Sequence, residues 1–395
     1  MIKKQLRKTV RKAISFLYFI LFKLFLLLPQ QNKIIFESFH GKQFSDNPRA
    51  IYEYLQGINV PNLKLIWAID RRASRLLKDN RFTSVKRLSP MWVYHMATSK
   101  YWVTNTRLPL WIPKVAKISY VQTWHGTPLK KLGVDIDDVK MPGTNTENYK
   151  KGFLQDSSKW DYLISQNVFS TEQFRRAFNY DGEILECGYP RNDYLINNNN
   201  YDYIKILKHR LGIDSNKKII MYAPTWRDDE FINVGHYKFN LKLELTLLKS
   251  YLKDDFIILI RAHYLISEKL DLNIFEGFAI NVSEYEDIRD LYLVSDMLIT
   301  DYSSVFFDYS LLERPILLYA YDLEKYQHKL RGFYLDIEEL PFPICRTTEE
   351  VLNLIKLIDF NEKVNFSQEY KERFNAIDNG TAAKCVVEQV ILSDI

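Results

Sequence analysis

His125 stands in the run QTWHGTPLKKLG, residues 122–133, between a Trp and a Gly and ahead of two lysines. An imidazole in such a place can pack, hold a metal or move a proton. Its titration near neutrality suits it to accept a proton from an attacking hydroxyl. Gly126 allows close backbone approach, and Lys130 and Lys131 add positive charge. Metal binding needs convergent ligands, and the chain has neither a His-x-x-x-His spacing nor a facial triad. Asp135-Ile136-Asp137 has the form of a carboxylate pair that could hold a nucleotide-bound Mg²⁺, but the tripeptide is a common one and no ligand motif indicates the metal.

Three other segments place reactive side chains where apolar runs end. Thr225 and Arg227 follow KIIMYAP, Arg261 and His263 follow FIILI, and Ser303 and Ser304 follow MLITDY. Small hydroxyl residues opening the helical stretch VFFDYSLLE leave backbone N–H groups for an anion. Taken alone, the two serines make an ordinary N-cap. Combined with Arg227 and Arg261, whose guanidinium groups suit phosphate oxygens, they point to a pyrophosphate site. His40, His95, His209, His236 and His328 read as structural, although His40 in ESFHGKQFSDNP sits in a loop of the same kind.

The elements that must position these groups are short apolar strands alternating with amphipathic helices. Strands are expected at 33–39, 63–68, 101–104, 118–123, 162–165, 218–222, 256–260, 297–300 and 316–319. Several are unbroken apolar runs, as in strands buried on both faces of a parallel sheet. The polar run Asn197–Asn200 marks a junction, after which a new αβ series begins. The expected organisation is a helix over 1–30, a first α/β domain over 31–200 and a second over 201–395. In such sheets ligands bind beyond the carboxyl ends of the strands, so the four segments should converge on a cleft between the domains.

Composition narrows the function. With 47% hydrophobic and 26% charged residues the chain is globular. The net charge of +5 is concentrated at the start: Lys3, Lys4, Arg7, Lys8, Arg11, Lys12, Lys23 and Lys33 all precede the first acid, Glu37. No basic stripe interleaved with aromatics follows, which argues against nucleic acid. Cys187, Cys345 and Cys385 are far apart, lack any CxxC pattern and read as buried apolar side chains. The apolar run from Ile14 to Leu28 behind the basic cluster is too short to span a bilayer and lacks a small-residue cleavage site. A helix lying at an anionic membrane surface is expected, the alternatives being a signal sequence and a first helix packed on the protein's own core.

Together the segments resemble the CDP-glycerol glycerophosphotransferases of teichoic acid synthesis, with the related CDP-ribitol enzymes. The likeness runs from FESFHGKQFSDNPRAIYEYL through QTWHGTPLKKLG, GYPRND, MYAPTWRDD and RAHY to TDYSSVFFDYSLLERP and RGFYLD. The chain is most similar to short, single-unit members. The resemblance implies a GT-B-like fold of two Rossmann-type domains and peripheral attachment to the cytoplasmic side of the cell membrane. By motif it implies His125 as general base, with His263 in a catalytic or phosphate-binding role. It also implies Gly126, Thr127, Pro128, Leu129, Arg191, Thr225, Arg261, Ser303, Ser304 and Asp308 around the donor, where Arg227 was placed above. The implied reaction transfers glycerol phosphate from CDP-glycerol to a polyprenyl-diphosphate-linked acceptor, with CDP-ribitol or a capsule product as variants. A GT-B sugar transferase and a non-catalytic nucleotide-binding protein are the competing readings.

Overall fold

The computed structural model describes residues 2–139, 144–225, 231–233, 236–237, 241–262, 270–326 and 332–393. Arg227 and His263 lie outside the described residues. Two parallel sheets organise the chain. The first is built from β1 Gln31–Glu37, β2 Lys64–Ile69, β3 Ser84–Lys86, β4 Ser99–Thr104, β5 Ser119–Gln122, β6 Tyr162–Ser165 and β7 Glu183–Glu186. Its spatial order is β3-β2-β1-β4-β5-β6-β7. After β8 Lys218–Ala223 comes a small antiparallel pair, β9 Phe231–Asn233 and β10 His236–Tyr237. The second sheet continues with β11 Phe256–Ile260, β12 Ala279–Asn281, β13 Met297–Thr300, β14 Ile316–Tyr319 and β15 Ile344–Cys345. Its order is β12-β11-β8-β13-β14-β15.

Counted within each unit, both sheets begin 3-2-1-4-5-6, the order of a doubly wound nucleotide-binding unit. The order reverses between β1 and β4 in one sheet and between β8 and β13 in the other. At such a reversal the flanking connections leave in opposite directions and open a crevice above the strand ends. The central strands are apolar because helices cover both faces: Ile34, Ile35 and Phe36 of β1 and Ile258, Leu259 and Ile260 of β11 are all buried. Trp102, Tyr120, Trp124, Phe153 and Phe178 fill one face of the first sheet, and Phe36, Phe44, Tyr52 and Trp67 the other.

The chain crosses between the units twice. The helix Pro190–Asn198 leads outward, and the segment after Asn375 returns. Val386, Val387, Val390 and Ile391 then pack on the first sheet beside Phe36 and Tyr101, so the last helices belong to the packing of the first unit. The two crossings are pinned together. Asp193 accepts from the Ala382 and Ala383 amides at 2.9 and 2.7 Å, and Asn197 Nδ2 donates to Gly380 O at 2.9 Å.

A helix spans Ile2–Phe25. One face docks on the first unit: Phe22 is fully buried with its ring edge-on to Trp102, and Tyr18 Oη donates to Leu88 O at 2.6 Å. The other face leaves Phe16 and Leu17 each 63% exposed, with Ile14, Ile20 and Leu24 also in solvent. Packing on the core and an outward apolar surface therefore coexist on one helix. Among the described residues no helix is long and apolar enough to cross a membrane.

Candidate active site

The turn after β5 aims His125. Trp124 adopts φ +51°, a left-handed conformation that costs a non-glycine residue about 1–3 kcal/mol. Two side chains hold it there. Asn47 Nδ2 donates to the carbonyls of Thr123 and Trp124, each at 3.3 Å, and Gln122 Oε1 accepts from Trp124 N at 3.0 Å. Trp124 sinks among Phe153, Phe174 and Phe178, and the His125 ring stacks on it with centroids 4.5 Å apart.

His125 Nδ1 lies 2.6 Å from Asn105 O. A carbonyl only accepts, so Nδ1 carries the proton and Nε2 keeps its lone pair. The imidazole titrates below its ordinary value, because burial disfavours the cation and Arg191 adds to this, against the pull of Asp46 and of the Asn105 carbonyl. A neutral ring with a basic Nε2 is the form a proton acceptor needs.

The cleft in front of this ring encloses about 420 Å³. From the first unit it is lined by His125, Gly126, Thr127, Pro128, Leu129 and Arg191. Thr225, Arg261, Ser303, Ser304 and Asp308 line it from the second unit. All eleven expected site residues within the described range thus share one cavity, over the reversal points of both sheets. Arg261 is anchored through Nη1 on the carbonyls of Val282 and Tyr285, at 2.9 and 2.7 Å, and burial lowers its pKa. Asp301 accepts from the amides of Thr225 and Tyr302, at 2.8 and 2.7 Å, which ties the β8 loop to the β13 loop.

The two walls nearly touch. A Cβ on Gly126 would lie 2.6 Å from Ser304 Oγ, a distance no real contact shows. Gly126→Ala should therefore wedge the walls apart and cut turnover by up to roughly 10²-fold, the scale of an ångström of misplacement. Adding Ser304→Gly should recover part of the loss. Steady-state rates of the single and double variants check this, and an unchanged Gly126→Ala rate would refute it.

Several groups behave differently from the sequence-based expectation. Arg191 is only 8% exposed, and both its terminal nitrogens are engaged: Nη1 with Asp46 Oδ1 and Nη2 with Asp308 Oδ2, each at 2.8 Å. Both residues line the cavity, and in this structure they form an ion triad across the two units. Ser303 and Ser304 precede a helix of only five residues, Val305–Tyr309, and Ser304 makes no side-chain cap. So short a helix has little macrodipole, which leaves the hydroxyls and local amides as its polar offer. Lys131 pairs with Asp137 at 3.0 Å and Asp135 with Arg176 at 2.9 Å. Asp135 and Asp137 thus each already face a protein cation; no group of three potential metal-holding side chains occurs among the described residues.

Sequence reasoning assigned no role to Asp46, Asn47, Asn105, Gln166 or Asp378. Asn105 Nδ2 donates to Asp46 Oδ2 at 2.8 Å, so Asp46 links Arg191 to the loop that holds His125. Thr127 Oγ1 donates to Gln166, whose Nε2 donates to Asp378 at 2.7 Å. Burial pushes the Asp378 carboxyl up to about 7. The segment SDNP holds Asp46 and Asn47 without showing their partners, and nothing local signals Asn105, Gln166 or Asp378.

Known proteins resemble this chain along nearly its whole length. A teichoic acid poly(glycerol phosphate) polymerase of Bacillus spizizenii (strain ATCC 23059 / NRRL B-14472 / W23) is 49% identical over 98% of this chain and 100% of the relative. A teichoic acid glycerol-phosphate transferase of Staphylococcus aureus (strain NCTC 8325 / PS 47) is 45% identical over 98% of this chain and 99% of the relative. The chain spans 53% of the length of the polymerase of Bacillus subtilis (strain 168) that it also matches. The solved structure of the wall teichoic acid polymerase TagF is similar with a TM-score of 0.86 at 43% identity, over 99% of this chain and 98% of that one. A variant of that polymerase was soaked with CDPG. Residues 20–392 match the family described as CDP-glycerol:poly(glycerophosphate) glycerophosphotransferase, and this chain belongs to it.

Proposed function

We propose that the protein transfers glycerol phosphate from CDP-glycerol to a hydroxyl of a polyprenyl-diphosphate-linked teichoic acid primer or growing chain, releasing CMP. The observation that carries this reading is an imidazole, protonated on Nδ1 by its Asn105 bond, facing Arg261, Thr225 and two serines across one cleft. The acceptor O–H gives its proton to His125 Nε2 as its oxygen attacks the phosphorus bearing glycerol. The new P–O bond forms as the bond to the CMP phosphate breaks, in line, and CMP leaves with that electron pair. Charge gathering on the non-bridging oxygens meets Arg261 and the serine hydroxyls and amides, which stabilise it by position. His263, outside the described residues, belongs in this reading as a phosphate ligand or second catalytic group, and Arg227 as a donor contact. The two units would close on the donor as in GT-B-like enzymes.

The test is direct. Purified protein, CDP-glycerol and a synthetic lipid-linked primer should yield CMP and products heavier by glycerol phosphate units. Absence of CMP would overturn the reading, and a larger kcat/KM with CDP-ribitol would reassign the polyol.

In the same reading the helix Ile2–Phe25 lies at the cytoplasmic membrane surface, its outward apolar face in the headgroup region and its basic residues on anionic lipid. Leu17 and Leu24 are 63% and 56% exposed, so Leu17→Glu/Leu24→Glu should leave the melting temperature unchanged. Burying a leucine is worth about 1.5–3 kcal/mol, so binding to anionic liposomes should weaken at least about tenfold. Cosedimentation measures it, and wild-type partitioning of the double variant would remove the helix from this role.

A further inference from the structure

Five neighbouring strands of the first sheet, in the spatial order β3, β2, β1, β4 and β5, each run out into a loop carrying a basic side chain. In that order these are Arg87, Arg72, His40 with Lys42, Arg107 and His125. The loops are stitched edge to edge. Asp70 N donates to Gly41 O at 2.7 Å, His40 N to Thr106 Oγ1 at 3.1 Å, and Arg87 Nε to Glu37 Oε2 at 2.9 Å. With the His125–Asn105 bond at 2.6 Å they make one continuous ledge that ends at the base. Left-handed backbone at His40, φ +59°, turns this loop at the β1 end, where the sheet order reverses.

The ledge is cationic. Against Lys42, Arg72, Arg87 and Arg107 stand Glu37, paired with Arg87, Asp70, paired with Arg72, the buried Asp156 behind Arg107, and Asp46, whose charge is met by Arg191. His40 titrates below its ordinary value, chiefly through desolvation, with Arg87, Lys42 and Arg107 adding to the shift. Arg87 is nearly buried and contributes charge from within. Arg72 and His40 are exposed, and Lys42 and Arg107 are half-buried, with Arg107 stacked 4.6 Å above the Phe153 ring.

The pyrophosphate groups expected of the donor face the second unit, so this charge needs another anion. We propose that the ledge is an acceptor subsite, at which Lys42, Arg72 and Arg107 take phosphodiester groups of an incoming polyol phosphate chain and so deliver its terminal hydroxyl to His125. The inference rests on the glycerophosphate-transfer reading and deepens it. It makes the enzyme select an acceptor that already carries phosphodiesters over a neutral polyol. His40 lies between Arg72 and Arg107 on the ledge, where its ring can hydrogen-bond the hydroxyls of the incoming chain.

The experiment measures acceptor binding without donor. The full chain is titrated with a synthetic glycerol phosphate oligomer carrying three phosphodiesters, and with uncharged triglycerol. Wild type should bind the oligomer preferentially, and added salt should weaken that binding only. Charge-assisted hydrogen bonds are strong, so Lys42→Gln/Arg107→Gln should weaken oligomer binding at least about tenfold. CDP-glycerol affinity should not change, and Lys363→Gln, on the far unit, serves as the control for net charge. In turnover the double variant should raise KM for the oligomer at near-constant kcat. Equal affinity of wild type for the oligomer and triglycerol, or undiminished oligomer binding by the double variant, would overturn the proposal. If wild type binds the oligomer but releases no CMP from CDP-glycerol, the proposed reaction fails and the subsite stands.

Discussion

His125→Gln should lower kcat by roughly 10²–10⁴-fold, the usual loss when a general base is removed, while CDP-glycerol affinity stays close to that of wild type. Glutamine keeps much of the ring's bulk against Trp124 and Phe39 but has no basic nitrogen, so packing and proton transfer are separated. The pH profile gives an independent reading. A base acts in its neutral form, and burial holds His125 below its ordinary value. The acid limb of kcat/KM should therefore fall below the usual histidine range, with full activity retained through pH 7. Asp46 is the main group pulling the other way, so Asp46→Asn should move that limb to still lower pH. Stopped-time CMP assays from pH 4.5 to 8.5 measure both. Turnover of His125→Gln within about threefold of wild type would remove the imidazole from the chemistry, since base removal costs far more.

The second large effect concerns stability. Arg191→Met should cost about 3–5 kcal/mol, because it leaves Asp46 and Asp308 as buried carboxylates without their cation. Burial raises the Asp308 pKa, and the Arg191 guanidinium is the main group opposing it, with a smaller pull from Asn192. Replacing all three groups, as Arg191→Met/Asp46→Asn/Asp308→Asn, should return most of the lost stability, since no uncompensated charge then remains. Turnover should not return with it. The guanidinium would no longer tie Asp46 on one wall of the cleft to Asp308 on the other. Urea unfolding of the single and triple variants is the measurement. A single variant as stable as wild type would show that the triad is not a strut.

Legibility in the sequence followed burial. The strands at 162–165, 256–260, 297–300 and 316–319 were readable to the residue, because buried central strands must be apolar throughout. Of the six missed strands, β9 and β10 form the small antiparallel pair, and β3, β7, β12 and β15 are the two edges of each parallel sheet. These four edge strands are the ones a pattern of burial explains. They are two to four residues long, read SVK, EILE, AIN and IC, and carry no apolar run to betray them. The site was legible where function demands unusual residue types in a turn, as in WHGTP and DYSS. Asn47 and Asn105 were not, since their work is done by hydrogen bonds to loops distant in sequence. VFFDYSLLE, read as one helix, is helical as far as Leu312, but it tightens to a 3₁₀ turn at Ser310 and stops where Glu313 enters the left-handed region.

The paired crossing at Asp193 and Gly380 fixes how the molecule can move. Two connections lying side by side act like the two pins of a door: they allow the far lobe to swing but resist its rotation about the long axis. Residues 200–381 are consequently a lobe inserted into a body whose own chain is finished only by the final helices. Clipping the protein after residue 381 would strip Val386, Val387, Val390 and Ile391 from the body, so the damage would fall on the half that holds the imidazole, far along the sequence from the cut.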